Sequence, residues 1–114
     1  METVKGFRDV EDSSKRILIR NLIEDTFKLY NFKPVETPIV ESEKFVKGDN
    51  PDDEAVSDIF KLKDKGKREL ALRYEFTFQL KRLAKNNKLP YKRYQIGPLF
   101  RDEPIGVNRW RQFF

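Results

Sequence analysis

A helical pattern near the N-terminus, followed by short strands that proline and glycine interrupt, decides the fold class of this chain. Within residues 12–31, mainly apolar side chains recur at the spacing of one helix face: Ile19, Leu22, Ile23, Thr26, Phe27 and Tyr30. A polar side chain at 12–14 can cap the start by accepting bonds from free backbone N–H groups. Because Leu18 and Leu29 lie off that face, the sequence predicts a helix covered on more than one side, by a sheet or by a partner chain.

Three extended segments follow this helix. Pro34 ends the helical region, and residues 35–41 then predict a strand that Pro38 interrupts. Since proline cannot donate to a ladder, Pro38 marks an edge, a bulge or a point where the chain changes partner. Residues 59–63 and 69–73 alternate apolar and charged side chains around a short polar turn. That alternation predicts a β-hairpin.

The second half of the chain repeats the mixture of helix and strand. Residues 48–58 predict an acidic, mobile loop, and residues 76–87 predict a second helix. A strand at 91–103 is broken by Gly97-Pro98, and residues 109–114 predict its partner. The order of elements predicts an α+β fold with a mainly antiparallel sheet and flanking helices.

The absent residue types restrict the chemistry. The chain has neither Cys nor His, so thiolate nucleophiles, disulfides and imidazole bases or ligands are excluded, and no metal site is identified. No apolar run approaches the roughly 20 residues of a membrane span. The N-terminus also lacks the apolar stretch of a secretory signal. We therefore expect a cytoplasmic protein that does not contact membranes.

The charges are unevenly distributed along the chain. Residues 1–60 contain 9 Lys and Arg against 14 Asp and Glu, whereas residues 61–93 contain 12 against 3. Such asymmetry indicates a side that faces a polyanion, although a lysine-rich face can also serve solubility alone. A basic nucleic-acid-binding module with its interface at 61–93 is therefore one alternative.

The segment richest in chemical information is the strand pair near the C-terminus. Alternate residues of a strand share a face, which places Arg101 with Glu103 on one strand. If no bulge intervenes, it places Arg109 with Arg111 and Phe113 on the other, where Arg111 can serve as an ion-pair partner only. Guanidinium forks suit phosphate oxygens, and an aromatic face can stack on a base. A nucleoside triphosphate is a reasonable ligand. The alternative is a surface hairpin in which an arginine pairs with Glu103 across the strands.

Phe-Arg-x-Glu, a loop and Arg-x-x-x-Phe, within about 92–114, resembles motif 2 of class II aminoacyl-tRNA synthetases, and the run 91–103 resembles the histidyl branch. Residues 5–9 are similar to the N-terminal signature of that branch. The helix and strand at about 14–41 resemble motif 1, the dimer-forming element, and residues 70–77 resemble the segment that holds the amino acid. By this resemblance, residues 1–114 form the N-terminal part of a class II catalytic domain.

The resemblance implies ATP-dependent activation of histidine and its transfer to tRNA. Arg101 would be catalytic, contacting the α-phosphate of ATP and the attacking carboxylate. Glu103 would bond the adenine edge, Arg109 would hold the γ-phosphate, and Phe113 would stack on the adenine. The family also implies Mg²⁺, whose ligands the sequence does not identify.

The resemblance also implies two residues that bind the amino acid substrate. Glu75 and Thr77 would bind the α-ammonium group of histidine, a charge-assisted interaction. The alternative for Glu75 is a structural bridge to Arg73 or Arg82. Tyr74 departs from the family, which usually has proline there.

Because the chain stops at Phe114, before the active site would be complete, we expect a truncated catalytic domain with little or no activity alone. The expected partners are tRNA, histidine, ATP and a second copy of the chain that binds through about 14–41. A synthetase-like regulatory subunit without aminoacylation activity is an alternative. So is a class II synthetase for another amino acid, such as Pro, Thr or Gly.

Overall fold

A computed structural model describes residues 2–48 and 57–114, and helices and short strands alternate along these ranges. Most of the acidic loop predicted at 48–58 lies outside the described residues. The elements follow in chain order: α1 (Ser14–Leu29), β1 (Lys33–Pro34), β2 (Val40–Ser42), α2 (Glu43–Lys47), β3 (Lys61–Lys63), β4 (Glu69–Leu72), α3 (Thr77–Ala84), β5 (Arg93–Tyr94), β6 (Leu99–Phe100) and β7 (Gln112–Phe113). The α+β class is confirmed, and no helix in these ranges is long and apolar enough to cross a bilayer.

The predicted N-terminal helix is present as α1. Of the three candidate caps, Asp12 accepts the bond: the backbone N–H of Ser14 donates to Asp12 Oδ1 at 2.9 Å. Hydrogen bonds from Ser14 lower the pKa of the Asp12 carboxyl. The helix ends before Asn31, which adopts the left-handed conformation at φ 65° and so turns the chain towards β1.

Helix α1 lies on the rest of the chain mainly through its last turns. The ring of Phe27 stacks on Tyr94 of β5 at 4.5 Å between centroids, and the Tyr94 hydroxyl donates to Glu24 at 3.1 Å. None of the helix's 16 residues, all of which the structure describes, is buried. The predicted cover on more than one side is therefore not supplied by the described part of this chain.

Pro38 separates two strands with different partners. β1 pairs with β5 in parallel, whereas β2 pairs with β4 in antiparallel orientation. Of the three alternatives at Pro38, the structure has the change of partner, and the prediction of a strand over the whole of 35–41 is wrong. The reason is that Val35 donates its N–H to Tyr94 at 2.9 Å, and the chain then leaves β5 before it reaches β4.

The hairpin predicted from alternation is confirmed as β3 and β4. These strands pair in antiparallel orientation, and β4 lies between β2 and β3 in a three-stranded sheet. The buried apolar cluster of this part of the chain comprises Val46, Ile59 and Ala71, with Tyr74 packed against it. The core is thus small and lies on the β4 side of the molecule.

The long strand predicted at 91–103 is divided at Gly97-Pro98, as expected, into β5 and β6. β6 pairs with β7 in antiparallel orientation. Most pairs in the described ranges are therefore antiparallel, as predicted. The difference is that they form three short sheets, one of them the parallel pair β1–β5.

Arg73 joins these three sheets. Its side chain is 4 % exposed, and it donates from Nε to the carbonyl of Pro98 at 2.8 Å and from Nη1 to the carbonyl of Thr37 at 3.0 Å. Burial lowers the pKa of Arg73, and the charge of Glu41 acts in the opposite direction. The guanidinium therefore connects the end of β4 to the segments that follow β1 and precede β6.

Candidate functional site

A cleft of about 830 Å³ lies between α1 and the β6–β7 hairpin. The four residues predicted to bind ATP, Arg101, Glu103, Arg109 and Phe113, all line it. The structure therefore brings into one concavity the side chains that the sequence had placed on two strands.

The cleft is strongly cationic. Five guanidinium groups line it, and they come from the N-terminal segment, from α1 and from the hairpin: Arg8, Arg16, Arg20, Arg101 and Arg109. Glu103 is the single carboxylate among the described lining residues. Clustered arginines around a partly apolar hollow suit a polyanion that carries a flat apolar group.

Arg101 lies between two aromatic rings. Its Cζ atom is 4.3 Å from the ring centroid of Tyr74 and 5.1 Å from that of Phe113. The backbone N–H of Arg101 donates to the carbonyl of Arg111 at 2.9 Å. Its Nε is buried and has no hydrogen-bond partner in the described part of the chain. The guanidinium is therefore within cation–π distance of both rings.

Arg109 is the least constrained of the four side chains. It is 65 % exposed at the side chain, and its Nη2 lies 3.9 Å from Oε2 of Glu103. Its backbone closes a tight loop, in which the N–H of Arg109 donates to the carbonyl of Gly106 at 3.0 Å. The cross-strand ion pair considered as an alternative is thus present only at the limit of contact. An exposed pair of this kind contributes little stability, so Arg109 remains available to a ligand.

Arg111 does not join the other arginines of the hairpin. It donates from Nε to the carbonyl of Glu103 at 3.1 Å, and its backbone N–H donates to the carbonyl of Gly6 at 2.8 Å. Arg111 does not line the cleft with Arg109 and Phe113, and its Nη2 lies 3.7 Å from Oδ1 of Asp102. β7 begins only after Arg111, so the strand alternation does not extend to it.

Gly6 permits the N-terminal segment to dock on this hairpin. It is buried and has φ +89°, and a Cβ built on it would lie 2.4 Å from Cδ of Arg111. Two residues later, the guanidinium of Arg8 lies 4.6 Å from the ring of Trp110. The sequence did not indicate that Arg8 and Trp110 meet, because nothing in the local pattern relates residues so far apart along the chain.

Glu75 and Thr77 lie outside the lining of the cleft. Oε1 of Glu75 accepts the backbone N–H of Phe78 at 3.1 Å, and this bond caps α3. Thr77 is exposed and lines a separate shallow hollow of about 270 Å³. Their role with the amino acid stays a prediction.

The alternative bridges from Glu75 to an arginine do not occur within the described residues. Arg73 bonds two carbonyls, and Arg82 makes two bonds of 2.9 Å to the carboxylate of Glu41. These bonds raise the pKa of Arg82. Both arginines therefore stabilise the fold, and neither competes for Glu75.

The basic run at 61–93 is only partly available to a partner. Arg73 and Arg82 bond within the fold, as described above. In addition, Lys61 pairs with Glu43 at 3.3 Å and Arg68 pairs with Asp64 at 2.6 Å. Across the described ranges no group of three or more acidic side chains forms a metal site. Mg²⁺, which the resemblance implies with ATP, stays a prediction.

Solved structures with the same arrangement define the class. The chain superposes on apo histidyl-tRNA synthetase from S. aureus with a TM-score of 0.75 and 30% identity, covering 99% of this chain and 27% of that one. It also superposes on an ATP phosphoribosyltransferase regulatory subunit/histidyl-tRNA synthetase from Bacillus halodurans with a TM-score of 0.77, covering 98% of this chain and 30% of that one. At 20% identity, this second likeness shows the fold alone. The fold is that of class II aminoacyl-tRNA synthetases.

Sequence comparison identifies the family. The model of histidyl-tRNA synthetase matches residues 6–114. Histidine–tRNA ligase 1 of Bacillus cereus is 42% identical over 123 residues, which cover 99% of this chain and 28% of the relative. The chain belongs to the histidyl-tRNA synthetase family, and it spans about 28% of the length of such relatives.

Proposed function

We propose that this chain supplies the ATP-binding part of a histidine–tRNA ligase. In the first step, a carboxylate oxygen of histidine bonds to the α-phosphorus of ATP. The bond from that phosphorus to the bridging oxygen breaks, and pyrophosphate leaves with the electron pair. In the second step, a hydroxyl of the tRNA's terminal ribose takes the histidyl group, releases AMP and loses its proton.

The first step needs alignment and charge stabilisation rather than acid–base catalysis. The attacking carboxylate is already ionised at neutral pH, which is consistent with a chain that has no His and no Cys. The developing negative charge lies on phosphate oxygens, and a preorganised guanidinium stabilises it. In the proposed roles, Arg101 holds the α-phosphate and the carboxylate, Arg109 holds the γ-phosphate, Glu103 bonds the adenine edge and Phe113 stacks on the adenine.

The observation that carries the proposal is the common cleft. Arg101, Glu103, Arg109 and Phe113 line one concavity that arginines dominate. A surface hairpin stabilised by cross-strand pairs would instead direct these side chains at one another. The cross-strand ion pairs in the described hairpin are long: Arg109 lies 3.9 Å from Glu103, and Arg111, outside the cleft lining, lies 3.7 Å from Asp102.

Arg101→Ala should weaken ATP binding by about 10- to 100-fold, because one or two charge-assisted hydrogen bonds are lost. Trp110 is the one tryptophan of the sequence and lines the cleft. Its emission, excited at the red edge where ATP is transparent, can follow the titration. Arg68→Ala is the matched control, because Arg68 lies on the β3–β4 turn and pairs with Asp64.

A synthetase-like regulatory subunit is the rival that this titration addresses. A regulator of this fold has no need of the arginine cluster for catalysis. Equal ATP affinity of the unsubstituted chain and Arg101→Ala would contradict the proposed site and favour the regulator. Loss of affinity in Arg101→Ala, with Arg68→Ala unchanged, supports the ligase.

We also propose that α1 belongs to a homodimer interface, within the segment at about 14–41. Leu18, Leu22 and Leu29 are 61 %, 61 % and 81 % exposed, and their spacing places them on one face of α1. Leu18 and Leu29 lie off the face of Ile19 and Ile23, which lines the cleft, and Leu22 lies at the border between the two faces. Apolar residues clustered in this way on a surface helix are typical of an interface.

Leu22→Glu should weaken dimerisation by at least about 10-fold, because burial of one leucine contributes roughly 1.5–3 kcal/mol and a buried carboxylate opposes association. Sedimentation equilibrium across a concentration series measures the change. Val107→Glu is the control, since Val107 is 91 % exposed and lies in the hairpin loop, away from α1. A monomeric unsubstituted chain at every concentration would contradict the proposed interface.

The remaining partners follow from the proposed reaction. We propose histidine and its tRNA as substrates, with Glu75 and Thr77 at the α-ammonium group, and a cytoplasmic site of action. Because this span is about 28% of the length of its relatives, a histidine–tRNA ligase has further residues outside it. We therefore expect little or no histidine-dependent ATP–pyrophosphate exchange from this chain by itself.

A further inference from the structure

We infer that Tyr74 is a positioning residue for Arg101, whose ring fixes the plane of the guanidinium that meets the α-phosphate. The inference rests on the proposed function and deepens it. The resemblance to the family does not suggest it, because that family usually has proline at this position.

The ring of Tyr74 is itself held in place. It packs against the buried cluster of Val46, Ile59 and Ala71. The backbone beside it is also fixed, because the carbonyl of Arg73 accepts the N–H of Phe100 at 3.2 Å. A ring anchored on one side by the core can act as a rigid surface for the group on its other side.

The guanidinium of Arg101 lies on that surface. Its Cζ is 4.3 Å from the centroid of Tyr74, which is within the range of a cation–π contact. The donors of a guanidinium lie in its plane. A ring stacked on one face therefore fixes the plane but leaves the N–H groups at the edge available.

Tyr74 and Phe113 have different tasks in this arrangement. Phe113 lies on the other side of Arg101, at 5.1 Å, and lines the cleft. In the proposed function its ring also stacks on the adenine, so it is shared between Arg101 and the ligand. Tyr74 belongs to the core cluster and does not line the cleft among the described residues. It is therefore the partner of Arg101 that persists when ATP binds.

The test compares ATP affinities, followed by Trp110 emission, for four variants. Tyr74→Phe keeps the ring and should bind ATP within about 2-fold of the unsubstituted chain. Tyr74→Leu keeps an apolar group but removes the platform, and should weaken binding by about 5- to 20-fold, as expected for one partly desolvated cation–π contact. The double variant Tyr74→Leu with Arg101→Ala should bind no more weakly than Arg101→Ala alone, because Tyr74 acts through Arg101.

Each outcome separates this inference from the proposed function. If Arg101→Ala loses affinity and Tyr74→Leu does not, the role of Tyr74 is overturned and the ATP site stands. If Tyr74→Leu weakens binding equally with and without Arg101, Tyr74 acts through general stability, and the inference is again overturned. Absence of ATP binding by the unsubstituted chain overturns both. Should Tyr74→Leu fail to fold by its thermal melt, Tyr74→Met fills the same space and is read by the same criteria.

Discussion

Replacing Arg73 with methionine should lower the free energy of unfolding by about 2–3 kcal/mol, although the residue lies outside the cleft. Methionine fills much of the volume but cannot donate hydrogen bonds. The carbonyls of Pro98 and Thr37, now bonded at 2.8 and 3.0 Å, would each lose a charged donor. Such bonds contribute about 1.5–3 kcal/mol each.

Part of that loss is offset. Burial already disfavours the charge of Arg73, as the direction of its pKa shift shows, and removal of a buried charge relieves that penalty. Two orphaned carbonyls exceed this relief, because each unpaired, partly buried polar group costs about 1–3 kcal/mol. The net change should appear as a fall of roughly 10–15 °C in Tm.

Arg68→Met is the control for this experiment. It removes an arginine from the same hairpin, but its side chain is 79 % exposed and contacts only a local aspartate among the described residues. Its Tm should change little. The Tm of Arg73→Lys should lie between those of Arg73→Met and Arg68→Met, because an ammonium group can bond one carbonyl but lacks the second arm of a guanidinium. Equal Tm values for Arg73→Met and Arg68→Met would contradict the bridging role of Arg73.

Gly6→Ala should detach the N-terminal segment from the hairpin, at a cost of about 2–3 kcal/mol. One part is conformational: φ +89° is unfavourable for any residue with a Cβ. The other part is steric, since the new Cβ would lie 2.4 Å from Cδ of Arg111. Hydrogen exchange at the amide of Arg111, which donates to the carbonyl of Gly6 at 2.8 Å, should accelerate correspondingly.

A second substitution separates the two parts. Arg111→Ala removes the Cδ and Cγ atoms that the new Cβ would overlap, so Gly6→Ala should cost only about 1 kcal/mol in that background. Gly66→Ala is the control, because a Cβ built on Gly66 would have Oδ1 of Asp64 as its nearest atom, at 3.4 Å, and would overlap nothing. An undiminished cost in the Arg111→Ala background would assign the whole effect to the backbone.

Local patterns in the sequence predicted the fold well where structure depends on neighbours along the chain. The helical period and the capping residues predicted α1, and the alternation of apolar and charged residues predicted the β3–β4 hairpin. The missing N–H of Pro38 indicated the place where the chain changes partner. The separation into three small sheets was not predicted, because it depends on where Arg73 bonds. An arginine in an alternating strand predicts an exposed side chain, and its carbonyl partners lie far away in sequence.

The residues of the candidate site were likewise predicted only where they lie close together along the chain. The resemblance to motif 2 grouped Arg101, Glu103, Arg109 and Phe113, which lie within one hairpin and line one cleft. Strand alternation did not place Arg111 correctly, because β7 begins only after this residue. Its backbone is held instead by the hydrogen bond to the carbonyl of Gly6. The contribution of Arg8 to the cleft arises from docking of the N-terminal segment, which no local pattern records.

The parallel pair β1–β5 has a consequence for how the chain assembles. It joins Lys33 to Arg93, whereas β3 and β4 join residues across a short turn. Closing a long loop costs chain entropy before its contacts form, so local pairings are expected early and distant ones late. Because α1 rests on Tyr94 of β5, this helix is expected to be among the last of the described elements to dock, although it precedes the others in the chain.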